Sequence, residues 1–165
     1  LKGGDPFIFG RGGEEMEELV AAGISVEVVP GITSGVAAPA YAGIPLTHRN
    51  HSSSVTFVTG HEGAGKYRPA VNWRAIAQGS ETIVIYMGIH NLPSIIEQLS
   101  QAGLSPQTPV ALVRWGTRPE QEELRGTLET IVQKVDEAKF LAPAIVVIGS
   151  VVSLHETLSN CRPQF

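Results

Sequence analysis

Cysteine occurs once in these 165 residues, at Cys161. A single thiol can neither close an internal disulfide nor build a cysteine metal cluster, so a reducing compartment is the expectation. Charge is also scarce. Charged residues are 17% of the chain, below the roughly 25% of an average soluble domain. The balance is acidic, with a formal net charge of −4, which argues against a general nucleic-acid binder. No apolar run reaches the roughly 18 residues of a membrane span, and no signal peptide is visible. A soluble, cytoplasmic protein without membrane or nucleic-acid partners is expected. His48, His51, His61, His90 and His155 show no metal-ligand spacing, and no G-x-S-x-G elbow occurs. Neither a metal site nor a serine nucleophile is therefore expected.

What the chain does have is enough apolar material for one core, 42% of its residues, and an excess of Gly (18) and Pro (11). Residues 12–22 predict a helix with Met16, Leu19 and Val20 on one face and Gly23 at its C-terminal cap. Residues 25–29 predict a strand that Pro30-Gly31 ends. Residues 33–42 predict a small-residue helix capped by Thr33 or Ser34. Pro45 and the polar run 47–54 follow, and residues 47–53 read as a hinge between lobes.

Beyond the hinge, strand and helix alternate. Strands are expected at 55–59, 82–86, 110–114, 121–126 and 144–148, with Val151-Val152 as an extension of the last or a neighbour to it. Helices are expected at 73–78, at 93–102 and after Thr127, the last with Leu128, Ile131, Val132 and Val135 on one face. This rhythm predicts an α/β architecture, whose ligands sit outside the carboxyl ends of strands.

Two glycine motifs stand out. Residues 3–13 hold five glycines and run into a helix start, which suits close approach to a ligand or an anion, or serves as a tight connection with no ligand. Residues 60–66, Gly60-His61-Glu62-Gly63-Ala64-Gly65-Lys66, match G-x-x-x-x-G-K. Tyr67 stands where a magnesium-binding Ser or Thr belongs, and Pro69 disfavours a helix start, so that match is discounted. Arg11, Arg49 and His61 could converge on a polyanion, or each could be an ordinary solvated residue.

The stretch from Leu1 to Glu15, with Gly3-Gly4-Asp5-Pro6-Phe7-Ile8-Phe9-Gly10-Arg11-Gly12-Gly13 at its centre, resembles the signature of the uroporphyrinogen-III C-methyltransferases within the tetrapyrrole methylase family. Further likenesses follow in family order at residues 29–34, 42–49, 59–62, 86–88, 116–117, 126–128 and 143–145, so the resemblance runs to about Leu154.

The resemblance implies a two-lobed α/β tetrapyrrole methylase fold that binds S-adenosylmethionine between the lobes and releases S-adenosylhomocysteine. It implies methylation of uroporphyrinogen III at C2 and C7 to give precorrin-2, on the route to sirohaem and cobalamin, by a homodimer. By family position Gly3, Gly4, Asp5, Ile8, Thr33, Ser34, Met87, Gly116 and Ala144 would hold the cofactor. Arg11, Glu14, Arg49, His61 and Met87 would meet the tetrapyrrole, with Arg11 as the catalytic candidate. The absence of an initiator methionine and of the family's first glycine loop leads to an N-terminally truncated reading. In it, residues 1–46 are what is left of the cofactor-binding lobe and 54–165 the C-terminal lobe. A non-catalytic cofactor- or tetrapyrrole-binding module and a related corrin-ring methyltransferase remain alternatives at this point.

Overall fold

The computed structural model describes residues 2–60 and 71–159. Its elements in chain order are α1 (Gly12–Ala21), α2 (Ser34–Tyr41), β1 (Val55–Thr59), α3 (Trp73–Gly79), β2 (Thr82–Tyr86), α4 (Leu92–Gln101), β3 (Pro109–Arg114), β4 (Glu122–Thr127), α5 (Ile131–Ala138), β5 (Ala144–Ile148), a 3₁₀ turn (Ser150–Leu154) and α6 (His155–Leu158). The strands form one mixed sheet in the order β1-β2-β5-β3-β4. Among the described residues only β1 and β2 run parallel. β5 enters antiparallel between β2 and β3, pairing Val84 with Val147 on one side and Ala111 with Val147 on the other.

The period-two alternation of these strands sorts their side chains onto two faces. Ile83, Ile85, Val110, Leu112, Val146 and Ile148 point into one core, where the apolar stripe of α4 (Leu92, Ile95, Ile96, Leu99) and Ile131 of α5 cover them. Val84, Tyr86, Ala111, Val113, Ile145 and Val147 point the other way, against Ala38 of α2, Ala42, Ile44 and the 3₁₀ residues Val151 and Val152. β2, β3 and β5 are covered on both faces, which explains their continuous β-branched composition.

Residues 47–53 are tied to this sheet. The Glu81 carboxylate accepts from the backbone N–H of Ser53 and, at 2.8 Å, from its hydroxyl, while Glu81 N–H donates to Ser54 Oγ at 3.0 Å. Thr82 Oγ1 donates to Ser52 Oγ at 2.7 Å, in the buried interior. The bonds from Ser53, backbone first, hold the Glu81 carboxyl below its usual range.

Three expectations are corrected. Residues 25–29 form no strand, because a strand exists through its ladder and among the described residues nothing pairs with this segment. Val151-Val152 belong to the 3₁₀ turn, not to a strand. Gly149, at φ 143°, turns the chain out of the sheet, and its N–H donates to Pro109 O at 3.0 Å. The helix after β4 is capped by Thr130 rather than Thr127, which ends β4 and whose N–H donates to Thr130 Oγ1 at 3.0 Å.

Candidate functional site

Because β5 is antiparallel to β2 and β3, its first residue lies beside their last ones. The ends of β2 and β3 and the start of β5 thus share one edge of the sheet, and a cleft of 570 Å³ opens there. Met87 follows β2, Trp115-Gly116-Thr117 follows β3, and Pro143-Ala144-Ile145 leads into β5; all line the cleft. Ser34, Ala37 and Ala38 of α2 make one wall, and Gly3, Gly4 and Ile32 complete the enclosure.

The backbone at this edge is forced. Met87 (φ 53°), Trp115 (φ 48°) and Thr117 (φ 71°) are non-glycine residues in the left-handed region, at a cost of about 1–3 kcal/mol each. Such strain persists where the surroundings over-determine it, which is common at ligand sites. Here the fixing contacts are visible. The Arg114 guanidinium stacks over the Trp115 ring at 3.7 Å while pairing with Glu122 at 3.1 Å. Thr117 N–H donates to Gln121 Oε1 at 2.9 Å. Gly116 has no room for a side chain, since a Cβ there would strike the Cβ of Ala38 on α2.

The glycine loop is organised by Asp5. Its Oδ1 accepts from Phe7 N–H at 2.8 Å and Ile8 N–H at 3.1 Å, and its Oδ2 from Gly31 N–H at 3.1 Å. The bonds from Phe7 and Gly31 chiefly, and from Ile8, stabilise the charged form and hold this carboxyl below the usual carboxylate range, against a smaller opposing effect of desolvation. Asp5 therefore closes the loop locally and ties it to the segment before α2. Gly4 sits at φ 84°, and Gly12 N–H donates to Pro6 O at 2.9 Å, folding the loop back onto itself. Lys2 Nζ adds a bond to Gly10 O at 2.8 Å and pairs with Glu15 at 2.5 Å. The Phe9 ring lies 4.6 Å from that of Tyr86, which docks the loop on the end of β2.

Tyr86 is also the anchor of α2. Its hydroxyl lies 2.6 Å from Thr33 Oγ1 and accepts from Gly35 N–H at 2.9 Å. Thr33 is the N-cap residue in an extended conformation, yet its side chain makes no capping bond because it is committed to Tyr86.

Of the residues singled out from sequence, Gly3, Gly4, Ser34, Met87, Gly116 and Ala144 line one cleft. Thr33 is buried beside it on Tyr86. Asp5 and Ile8 lie in the loop behind the cleft and are not among its lining residues. Arg11 and Glu14 stand exposed at the start of α1, 3.7 Å apart. Arg49 is exposed in the turn bridged by His48 and Ser52. Neither arginine lines the cleft. His61, with the rest of the glycine motif beyond Gly60, lies outside the described residues.

Residue reasoning passed over Tyr86, His90, Trp115 and Pro143 as site residues. For Tyr86 a signal existed, an aromatic with a polar tip closing a β-branched run directly before Met87-Gly88. Trp115 lies beside Gly116 at the equivalent end of β3.

The family described as Tetrapyrrole (Corrin/Porphyrin) Methylases matches residues 1–132. The chain belongs to the tetrapyrrole methylases. Among its relatives in that family, the uroporphyrinogen-III C-methyltransferase of Synechocystis sp. is 72% identical over 158 residues, covering 96% of this chain and 60% of that protein. The S-adenosyl-L-methionine-dependent uroporphyrinogen III methyltransferase of Methanosarcina barkeri is 52% identical over 162 residues, covering 98% of this chain and 64% of that one. The crystal structure of a Thermus thermophilus uroporphyrin-III C-methyltransferase, complexed with S-adenosyl homocysteine, superposes with a TM-score of 0.76 at 35% identity. It covers 93% of this chain and 66% of that one. The chain thus spans slightly under two thirds of the length of these tetrapyrrole methylases.

Proposed function

We propose that this chain forms part of an enzyme that transfers methyl groups from S-adenosylmethionine to C2 and C7 of uroporphyrinogen III, giving precorrin-2 for sirohaem and cobalamin synthesis. The observation that carries the reading is the cleft itself. Gly3, Gly4, Ser34, Met87, Gly116 and Ala144, distant in sequence, meet at one sheet edge, in a chain whose relatives bear this activity in their names.

The residues present fit such a cofactor. The cleft is within the range of about 300–1,000 Å³ usual for small-molecule sites, and its lining is mostly apolar with backbone groups exposed at glycines. Gly116 is a position where an added Cβ would press on Ala38 of α2, in one wall of the cleft. Gly3 has open space around the same point of its backbone, as a ligand approaching the main chain requires.

When bound, S-adenosylmethionine would supply a sulfonium methyl that is already activated, so neither metal nor covalent enzyme intermediate is required. The chain's own share is alignment and exclusion of water. Ala37, Ala38, Val113 and Ile145 give the cleft an apolar lining that disfavours water, while Met87, 55% exposed, is the lining residue the tetrapyrrole would meet. Asp5 and Ile8 act by holding the glycine loop in place, and Thr33 and Ser34 by presenting the first turn of α2.

Uroporphyrinogen carries eight carboxylates, which is the reason to assign Arg11, Arg49 and His61 to substrate binding through charge-assisted bonds, with Glu14 setting Arg11. Arg11, whose guanidinium offers N–H donors and no acceptor, orients substrate rather than accepting a proton. In the same reading residues 1–46 contribute to a cofactor-binding lobe, 47–53 connect it, and 54–165 form the second lobe of a cytoplasmic homodimer.

Calorimetric titration with S-adenosylhomocysteine tests the assignment, with Asp5→Ala alongside. Saturable binding by the protein and a loss of about tenfold or more in the variant is the expected outcome, since three loop hydrogen bonds disappear. A folded sample with no saturable binding would sink the claim that this cleft holds the cofactor.

A further inference from the structure

We infer that Tyr86 is a positioning residue for the cofactor cleft, its phenol hydroxyl setting Thr33 and the first turn of α2 while its ring seats the glycine loop. The inference rests on the methyltransferase reading above and goes beyond it, because it names a residue that acts through others.

Four contacts converge on this one side chain. The hydroxyl lies 2.6 Å from Thr33 Oγ1 and accepts Gly35 N–H at 2.9 Å. The ring meets Phe9 of the glycine loop at 4.6 Å and Phe57 of β1 at 6.3 Å. Tyr86 is only 6% exposed, so its hydroxyl must find its partners inside the protein. These contacts connect three of the segments that make the cleft: the loop with Gly3 and Gly4, the α2 wall, and the end of β2 that leads into Met87.

The fit around the hydroxyl is specific. A Cβ on residue 35 would fall on the Tyr86 hydroxyl, so glycine there is what lets α2 sit directly on the phenol. Phenylalanine at 86 would keep the ring and its contact with Phe9. It would leave Gly35 N–H without its acceptor and Thr33 Oγ1 without its partner, in a buried place where unmade bonds are costly. The cap residue would then be free to rotate, and the wall presenting Ser34 would lose its fixed register. A residue that only supported the fold would change the unfolding midpoint and leave ligand affinity in the folded state alone.

The test compares Tyr86→Phe, Thr33→Val and the double variant, by S-adenosylhomocysteine calorimetry and thermal unfolding on the same samples. Tyr86→Phe is expected to weaken affinity about tenfold, and the double variant to be no worse than Tyr86→Phe, because the bond that Thr33→Val removes is already lost there. Tyr86→Leu, which also loses the ring contact with Phe9, is expected to weaken it further. If Tyr86→Phe lowers the unfolding midpoint and binds the ligand as tightly as wild type, the hydroxyl is structural and the inference is overturned. Additive losses in the double variant overturn it as well, since Tyr86 would then not act through Thr33. Failure of the wild-type protein to bind is a different result, which overturns the assignment of the cofactor to this cleft. Should Tyr86→Leu fail to fold, Tyr86→Phe, which keeps the packing, still decides.

Discussion

The Asp5 carboxylate spends its charge on backbone N–H groups of its own loop and of Gly31, and this gives it a readable pH signature. Its folded pKa lies below the ordinary value, so its contribution to stability is complete above the unfolded-state pKa, about 3.9. That contribution is lost as pH falls further, through the folded value. Asp5→Asn is therefore expected to lower the unfolding midpoint at about pH 6 by an amount that stays constant down to about pH 4 and shrinks progressively as pH falls below it. Midpoints followed by circular dichroism across that range check this. Curves that stay parallel down to acid pH would show that the carboxylate charge is not what holds the loop. The same carboxylate illustrates how far sequence reaches at this scale. That a glycine loop carries Asp5 is plain in the residues, whereas its bond to Gly31, 26 positions away, depends on a contact that spacing does not record. Arg11 and Arg49 are both exposed and outside the cleft lining, a placement that their residue types alone do not reveal.

At the level of elements, the two faces of the sheet do different work, and two substitutions separate them. Leu99 of α4 is fully buried on the face away from α2. Leu99→Ala is expected to cost about 2–5 kcal/mol in urea unfolding and to leave ligand affinity in native buffer unchanged. Gly116→Ala acts on the other face. Its new methyl meets Ala38, so α2 must move away from the end of β3, and affinity should fall by about tenfold or more. Calorimetry on both variants decides, and equal effects on affinity would contradict this division of labour. Most elements were legible because local and global preferences agree. The β-branched run 144–148 is β5 to the residue, and the stripe Leu92, Ile95, Ile96, Leu99 is the buried face of α4. The failures are of a different kind. Residues 25–29 carry strand composition, but pairing is not a local property. Val151-Val152 carry it too, yet Gly149 at φ 143° sends them under the sheet as a 3₁₀ turn.

For the whole molecule, ligand binding and folding are linked by mass action. A ligand confined to the native cleft at about 100 times its Kd stabilises by about 2.7 kcal/mol, which for a chain of this size raises the midpoint by about 5–11 °C. Differential scanning fluorimetry with S-adenosylhomocysteine should show that rise, and Tyr86→Phe should need more ligand to reach it. A midpoint that stays put at a concentration calorimetry finds saturating would mean the ligand does not select the native fold. The placement of β5 has a consequence for biosynthesis. Among the described strands β5 comes last in the chain, and it occupies the middle of the sheet, between β2 and β3. A nascent chain that has not yet released Ala144 holds a parallel β1–β2 pair and a β3–β4 hairpin with no seam between them, each with an open edge of the kind that invites aggregation. The cleft needs the ends of β2 and β3 brought together across that seam, so binding competence waits until β5 has left the ribosome.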